Sequence, residues 1–351
     1  MVNRSERLPR TVQPVADTLG LRLSRRGPAM LPFKLIYSDA YYLPIGEHVF
    51  PAEKYRLIQQ HLLQSGLAAP ADFLAPQPAR DADILLAHTP AWVAKLRNGT
   101  ISPREELVME VPYSPELVRA FWLAAGGSIL AAQCALRDRV GINIGGGFHH
   151  AFPDHGEGFC VINDIAVAIR KLQHQGAIAH AMTVDCDVHQ GNGTAAIFAA
   201  NHSGAGWSFG SMGARDFAGG GADVFTISLH QENNYPAFKP PSSIDVNLAD
   251  RVDDAEYLAQ LDRALSAGLQ QFDPQLLCYV AGADPYREDQ LGGLSLTIEG
   301  LKKRDELVFR AARARGIPVM VTLAGGYAQQ VEDTVTIHCN TVAAAKEIYG
   351  S

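Results

Sequence analysis

Short β-branched runs alternate with longer helix-period segments from Phe33 onward, and this alternation restricts the fold more than any other feature of the chain. Candidate strands fall at 35–37, 84–87, 140–144, 181–184, 224–228, 276–280 and 319–323. Helix-like segments separate them at 53–65, 90–97, 115–136, 162–175, 194–200, 254–271, 297–315 and 334–349. Parallel neighbours cannot be joined by tight hairpins. They need crossover connections of a dozen or more residues, which these helices supply. The spacing therefore predicts an α/β fold, one domain with a mostly parallel sheet and helices on both faces. No internal repeat is present.

Two stretches stand outside the rhythm. Residues 1–32 are arginine-rich, contain Pro9, Pro14, Pro28 and Pro32, and read as a flexible N-terminal extension preceding a domain at 33–351. A transit peptide, or initiation at Met30, are the alternatives. Residues 201–223 are too rich in glycine to hold a helix or strand and read as a long insertion loop.

Composition narrows the function class. At 47% hydrophobic and 19% charged, the chain is built to bury a core rather than to stay disordered. The net charge of −7 is uneven: residues 1–34 carry seven basic side chains against Glu6 and Asp17, leaving −12 on the remainder. So acidic a body disfavours a nucleic-acid partner. The longest charge-free apolar run, 120–136, is 17 residues, short for a membrane span. Five cysteines without a CxxC pair favour a reducing compartment, and a cytoplasmic location is expected.

In open parallel sheets, ligands gather beyond the carboxyl ends of the strands. Four predicted strand ends here carry reactive residues: GGGFHH at 145–150, DCDVHQGNG at 185–193, GAD ending at Asp284, and AGGY ending at Tyr327. On a strand, Asp185, Asp187 and His189 would share a face. With Asp284 they offer carboxylates and an imidazole to a divalent cation while leaving a coordination position open, as catalytic zinc sites require. A single Asp would be read as a helix cap; the D-x-D-x-H run and the isolated Asp284 together point to metal. His149 and His150 suit proton transfer near neutral pH, with Asp185 and Asn192 as available partners for their second ring nitrogens. Tyr327, on a Gly-Gly turn, can donate a hydrogen bond to an oxyanion, although a lone tyrosine at a strand end is common. Cys186 and Cys160 read as small buried fillers.

These residues resemble the zinc-dependent histone deacetylase family, of arginase–deacetylase fold. The resemblance runs from YSDAYYLP (37–44) through GGGFHHAFPDHGEGFCVINDIAVAI (145–169), DCDVHQGNGTA (185–195), TISLH (226–230) and AGADPYREDQLGGLSLT (281–297) to LAGGY (323–327), and looks most like class IV and its bacterial relatives. It implies that Asp187, His189 and Asp284 bind Zn²⁺, with Fe²⁺ an alternative. It implies His149 and His150 as the tandem histidines, His150 the general base and acid, and Tyr327 as the oxyanion donor. Asp185 would orient His149 and help hold a structural K⁺ together with Asp187, His189, Ser228 and Leu229. Asn192, which faces His150, stands where class I enzymes carry Asp. Gly158, Phe159, Tyr235 and Leu291 would line the acyl-lysine tunnel.

The activity so implied is hydrolysis of acyl groups, acetyl or longer, from lysine side chains of a protein or peptide, with acetylpolyamines or other small acylated amines as alternative substrates. The absence of charge at Phe159, Tyr235 and Leu291 disfavours polyamines, and the branch resemblance suggests tolerance of longer acyl chains. A binuclear ureohydrolase would need a further D-x-D that GADPYRED lacks. An inactive acyl-lysine-binding module would not need the full set of catalytic residue types.

Overall fold

The computed structural model describes residues 30–199 and 223–350. In chain order the elements are β1 (Lys34–Ile36), α1 (Lys54–Gln64), β2 (Phe73–Leu74), α2 (Asp81–Ile84), α3 (Pro90–Asn98), α4 (Pro103–Met109), α5 (Pro115–Asp138), β3 (Val140–Asn143), α6 (Asp164–His174), β4 (Ala181–Asp185), α7 (Asn192–Ala199), β5 (Val224–Gln231), β6 (Ile244–Leu248), α8 (Asp254–Gln271), β7 (Leu276–Val280), α9 (Ile298–Ala314), β8 (Val319–Thr322) and α10 (Val331–Tyr349). The eight strands form one sheet in the order β2-β1-β3-β8-β7-β4-β5-β6. Every pairing is parallel. This is the α/β arginase–deacetylase architecture.

Strands β3, β4, β5, β7 and β8 are buried along their whole length, as expected where helices cover both faces of a parallel sheet. Helix α5 packs on β1, β3 and β8 and against α6, while α8, α9, α10 and α1 pack successively on one another. By length and composition α5 would cross a membrane, but most of it is buried inside the protein.

The sheet order positions the chemistry. β3 and β4 follow one another in sequence but are separated in the sheet by β8 and β7, which arrive last. The four strands whose ends carry the reactive residues, β3, β8, β7 and β4, are thus four contiguous central strands. The loops leaving their carboxyl ends open onto one place.

Local chemistry explains where the elements depart from the sequence reading. Residues 84–87 are not a strand. Arg80 N–H and its guanidinium both donate to Asp83, the amides of Ile84 and His88 close helical bonds to Arg80 O and Ile84 O, and Leu85 is exposed. An apolar run this short is compatible with either state, and the acids of 81–83 at a helix start decide it. β6 is an edge strand of mixed burial, so its pattern lacked the apolar run that marked the central strands. α4 begins at a capping box in which Ser102 and Glu105 satisfy each other's backbone amides. The readings of residues 1–29 and 201–222 lie outside the described residues.

Candidate active site

β4 ends at Asp185, and the expectation that Asp185, Asp187 and His189 share a strand face does not hold. The segment beyond is a succession of turns. Asp187 N–H donates to Asp185 Oδ1 and His189 N–H to Asp187 Oδ1, each at 3.1 Å. Each acid thereby ties the amide two residues on, the Asx-turn geometry. The turns send the side chains to different partners. Asp185 Oδ2 lies 2.7 Å from His149 Nδ1, whereas His189 Nδ1 lies 3.1 Å from Asp187 Oδ1 and 3.3 Å from Asp284 Oδ2. Cys186, between the acids, is buried, and burial pushes its thiol up to about 12.

The ligand atoms of Asp187, His189 and Asp284 lie within 4.8 Å of one another, and all three residues are buried. Asp187 Oδ2 accepts from Gly325 N–H at 3.0 Å, and Asp284 Oδ1 from Val188 N–H at 2.8 Å. Asp284 Oδ2 makes no hydrogen bond, although it is fully enclosed. Burial, followed by the neighbouring Asp187 charge, pushes the Asp284 carboxyl up to about 7. A buried acceptor without a donor is costly, and a cation between the carboxylates removes both the vacancy and the repulsion. The residues therefore fit a divalent ion. Gly325 is required here: a Cβ would stand 2.2 Å from Asp284 Oδ2 and 2.5 Å from Asp187 Oδ2.

The loop after β3 delivers the tandem histidines. Its sharp turn runs through Gly146 and Gly147, at φ +86° and +92°, and Asp164 at the start of α6 accepts from the amides of Gly147 and Phe148. His149 Nδ1 then meets Asp185, and His150 Nδ1 lies 2.7 Å from Asn192 Oδ1. The two rings are adjacent but differ electrically. For His149, burial works against the charge, but Asp185 and Asp187 outweigh it and raise the imidazole to about 9. For His150, burial and then the neighbouring His149 and His189 press the value well below the ordinary histidine range. The surroundings thus push the two rings in opposite directions.

Tyr327 follows β8. Asp289 fixes it by accepting from Tyr327 N–H at 2.7 Å while also taking the amides of Leu291 and Gly292. Gly158, Phe159, Tyr235 and Leu291 line one cleft of about 200 Å³ that also reaches His150, His189 and Tyr327. The Tyr235–Pro236 peptide bond is cis. A smaller cavity of about 20 Å³ shares His150, Gly158, Phe159 and Tyr327 with the cleft and is closed by Phe50, Tyr55, Gly147, Cys160 and Ala324. Ser228 is paired with Asp185 across β4 and β5, its hydroxyl 2.9 Å from His230 Nδ1, and Leu229 follows it into the core.

Several residues of the site were not anticipated. Glu110 lines the cleft. Glu157 binds Asn192 and Tyr235. Lys54 is completely buried against the Phe50, Tyr55 and Tyr327 rings with its ammonium donating to Ala324 O, and burial depresses it to about 8 against the pull of Asp284, Asp187 and Asp289. Glu157 and Asp289 lie within GEGFC and DQLGG, where the motifs themselves were the signal. A lysine opening an amphipathic helix gives none.

The histone deacetylase domain matches residues 48–342. The chain belongs to the histone deacetylase family. It is 37% identical over 318 residues to an uncharacterized protein of Picosynechococcus, covering 90% of this chain and 99% of that one. Histone deacetylase 2 of Arabidopsis thaliana is 30% identical over 84% of this chain and 74% of its own length. A probable deacetylase of Methanothermobacter thermautotrophicus is 29% identical over 84% and 85%. In fold, the chain is similar to the crystal structure of a deacetylase homolog from Aquifex aeolicus, with a TM-score of 0.71 at 23% identity, covering 91% of this chain and 88% of that one. The family assignment makes this a metal-dependent deacetylase.

Proposed function

We propose that the chain is a zinc-dependent lysine deacylase acting on acetyl-sized groups, with Asp187, His189 and Asp284 as metal ligands. The observation that carries the reading is the buried, unsatisfied Asp284 Oδ2 facing His189, which itself lines the cleft with His150 and Tyr327. Mixed nitrogen and oxygen donors suit Zn²⁺, and Fe²⁺ shares the preference. When bound, the divalent cation polarises the amide carbonyl and lowers the pKa of water from ~16 towards ~7.

The protein's own groups manage the protons. His150, kept neutral, takes the proton of the attacking water and returns it to the leaving lysine amine. His149, held charged by Asp185, supplies positive potential beside the reacting carbon. The Tyr327 phenol donates to the oxyanion. A potassium ion at Asp185, using oxygens of Asp187, His189, Ser228 and Leu229, belongs to the same proposal, as does a cytoplasmic site of action, which five free, buried cysteines support.

The cavity of about 20 Å³ that adjoins the cleft has room for about one water or one methyl, which supports acetyl over the longer chains expected from sequence. One observation favours a second substrate. The Glu110 carboxylate borders the cleft, so the mouth is not free of charge as the tunnel positions alone suggested, and a cationic acetylpolyamine would find a partner there. The test is kcat/KM for lysine peptides bearing two- to fourteen-carbon acyl groups, beside acetylpolyamines, on zinc-loaded protein. Acetyl-lysine should be best, with a fall of at least about tenfold beyond four carbons. Preference for acetylpolyamines would select the second reading, and no turnover of any acylated amine would overturn both.

A further inference from the structure

Behind His150 runs a chain of polar contacts that leads away from the metal cluster. His150 Nδ1 is 2.7 Å from Asn192 Oδ1, and Asn192 Nδ2 donates to Glu157 Oε1 at 2.8 Å. The Tyr235 hydroxyl donates to the same oxygen at 2.9 Å, and Glu157 Oε2 is 3.6 Å from His155 Nε2. Asn192 is fully buried and Glu157 partly so. Glu157 is held by reciprocal backbone bonds with Cys160, across a turn in which Gly158 and Phe159 both have positive φ, +50° and +65°. The backbone fixes where the side chain starts, and the bonds from Asn192 and Tyr235 hold the carboxylate at its end.

From this geometry we infer that Glu157 is a positioning residue for the general base: it orients the Asn192 amide and places a negative charge one residue behind His150, where the side chain touching the imidazole is itself neutral. The inference rests on the proposed role of His150.

Two physical effects follow from the contacts. A carboxylate only accepts hydrogen bonds, so it draws the NH₂ side of the Asn192 amide to itself and turns the oxygen towards His150. An imidazole facing an amide oxygen must carry its proton on Nδ1, which leaves the Nε2 lone pair for the attacking water. A flipped amide would impose the opposite tautomer. Gly193 N–H, 3.0 Å from Asn192 Oδ1, works in the same direction. The second effect is charge. An amide cannot relay a proton, but its dipole, with the carboxylate at the positive end, presents a strengthened negative end to the imidazolium that forms when the base is loaded.

Other charges bear on both groups. His149 and His189 face His150 and oppose its protonation, while Asp187 favours it and the Tyr235 ring stands edge-on at 5.0 Å. Glu157 faces His155, itself bound to Asp154, and Glu110 across the cleft. Burial works against the Glu157 charge, but the bonds from His155, Asn192 and Tyr235 keep the group on the ionised side of its usual range.

The experiment compares full-length, zinc-loaded wild type with Glu157→Gln, Asn192→Asp, the double substitution and His150→Ala, recording kcat and KM on an acetyl-lysine peptide across pH, with zinc content measured for each. Glu157→Gln keeps an acceptor but removes the charge. It should lower kcat about tenfold, leave KM within about twofold, and move the acid limb of kcat to lower pH because the imidazolium has lost a stabilising anion. In the double variant the charge is moved next to His150, and both kcat and the limb should recover towards wild type. Asn192→Asp alone, which crowds two carboxylates, should not improve on wild type. A Glu157→Gln effect confined to KM, an unmoved acid limb, or no recovery in the double variant would overturn the inference and leave Glu157 as a wall of the tunnel. Retained kcat in His150→Ala would instead remove the base assignment, a failure visible whatever Glu157→Gln shows.

Discussion

Asp284 joins the metal cluster to the rest of the site. One oxygen holds the turn after β4 through Val188 N–H and the other faces His189 without a donor. Asp284→Ala should abolish both metal retention and turnover, while Asp284→Asn should keep the turn and lose the metal. The check is elemental analysis after desalting, with one divalent ion per wild-type chain and fewer than about one in ten chains occupied in either variant. Two ions per wild-type chain would contradict the mononuclear cluster. The residue types were legible in the D-x-D-x-H run and in GAD. Their allocation was not, because Asp185 turns to His149 through an Asx turn that the alternation of a strand does not contain.

Among the elements, α2 shows how a buried ion pair attaches one segment to another. Asp83 is held by Arg80 on its own turn and by Lys171 of α6 at 2.7 Å, with both Asp83 and Lys171 largely enclosed. Burial opposes the Asp83 charge, but these partners outweigh it and hold the carboxyl down at about 2. Because the folded value lies below the ordinary one of about 4, the pair stabilises the native state above pH 4 and loses that contribution as pH falls from about 4 to about 2. Asp83→Asn should cost about 1–3 kcal/mol at pH 7, and thermal melts of the two proteins should converge on approaching pH 2. A constant gap from pH 7 to pH 2 would assign the loss to packing instead. The same contacts explain the misread strand at 84–87. The apolar run is too short for its period to speak, and the flanking acid decides the outcome through bonds to Arg80.

At the scale of the whole molecule, the sheet has two unlike ends. The carboxyl ends of β3, β8, β7 and β4 carry the site, while the chain re-enters the sheet at the opposite end, where Asp223 O accepts from Ala181 N–H at the start of β4 and β5 begins at Val224. Replacing 201–222 by a short linker should therefore leave kcat/KM within a few fold of wild type. Complete loss of activity in a folded, zinc-loaded variant would show that this segment reaches the site.

The sequence by itself determined the class of fold and the inventory of chemistry. Strand–helix alternation leaves only parallel pairing, and metal-binding and proton-carrying side chains announce themselves by type and by their place at strand ends. What the tertiary structure decided is who meets whom. That β7 and β8 enter between β3 and β4 brings residues more than a hundred positions apart into one pocket, and no local pattern encodes that order. Lys54 and Glu110 join the site through contacts in space that no local pattern marks, whereas Glu157 stands in the GEGFC motif. Their roles come from what surrounds them in space, and an isolated lysine or glutamate reads as surface until burial and partners are known.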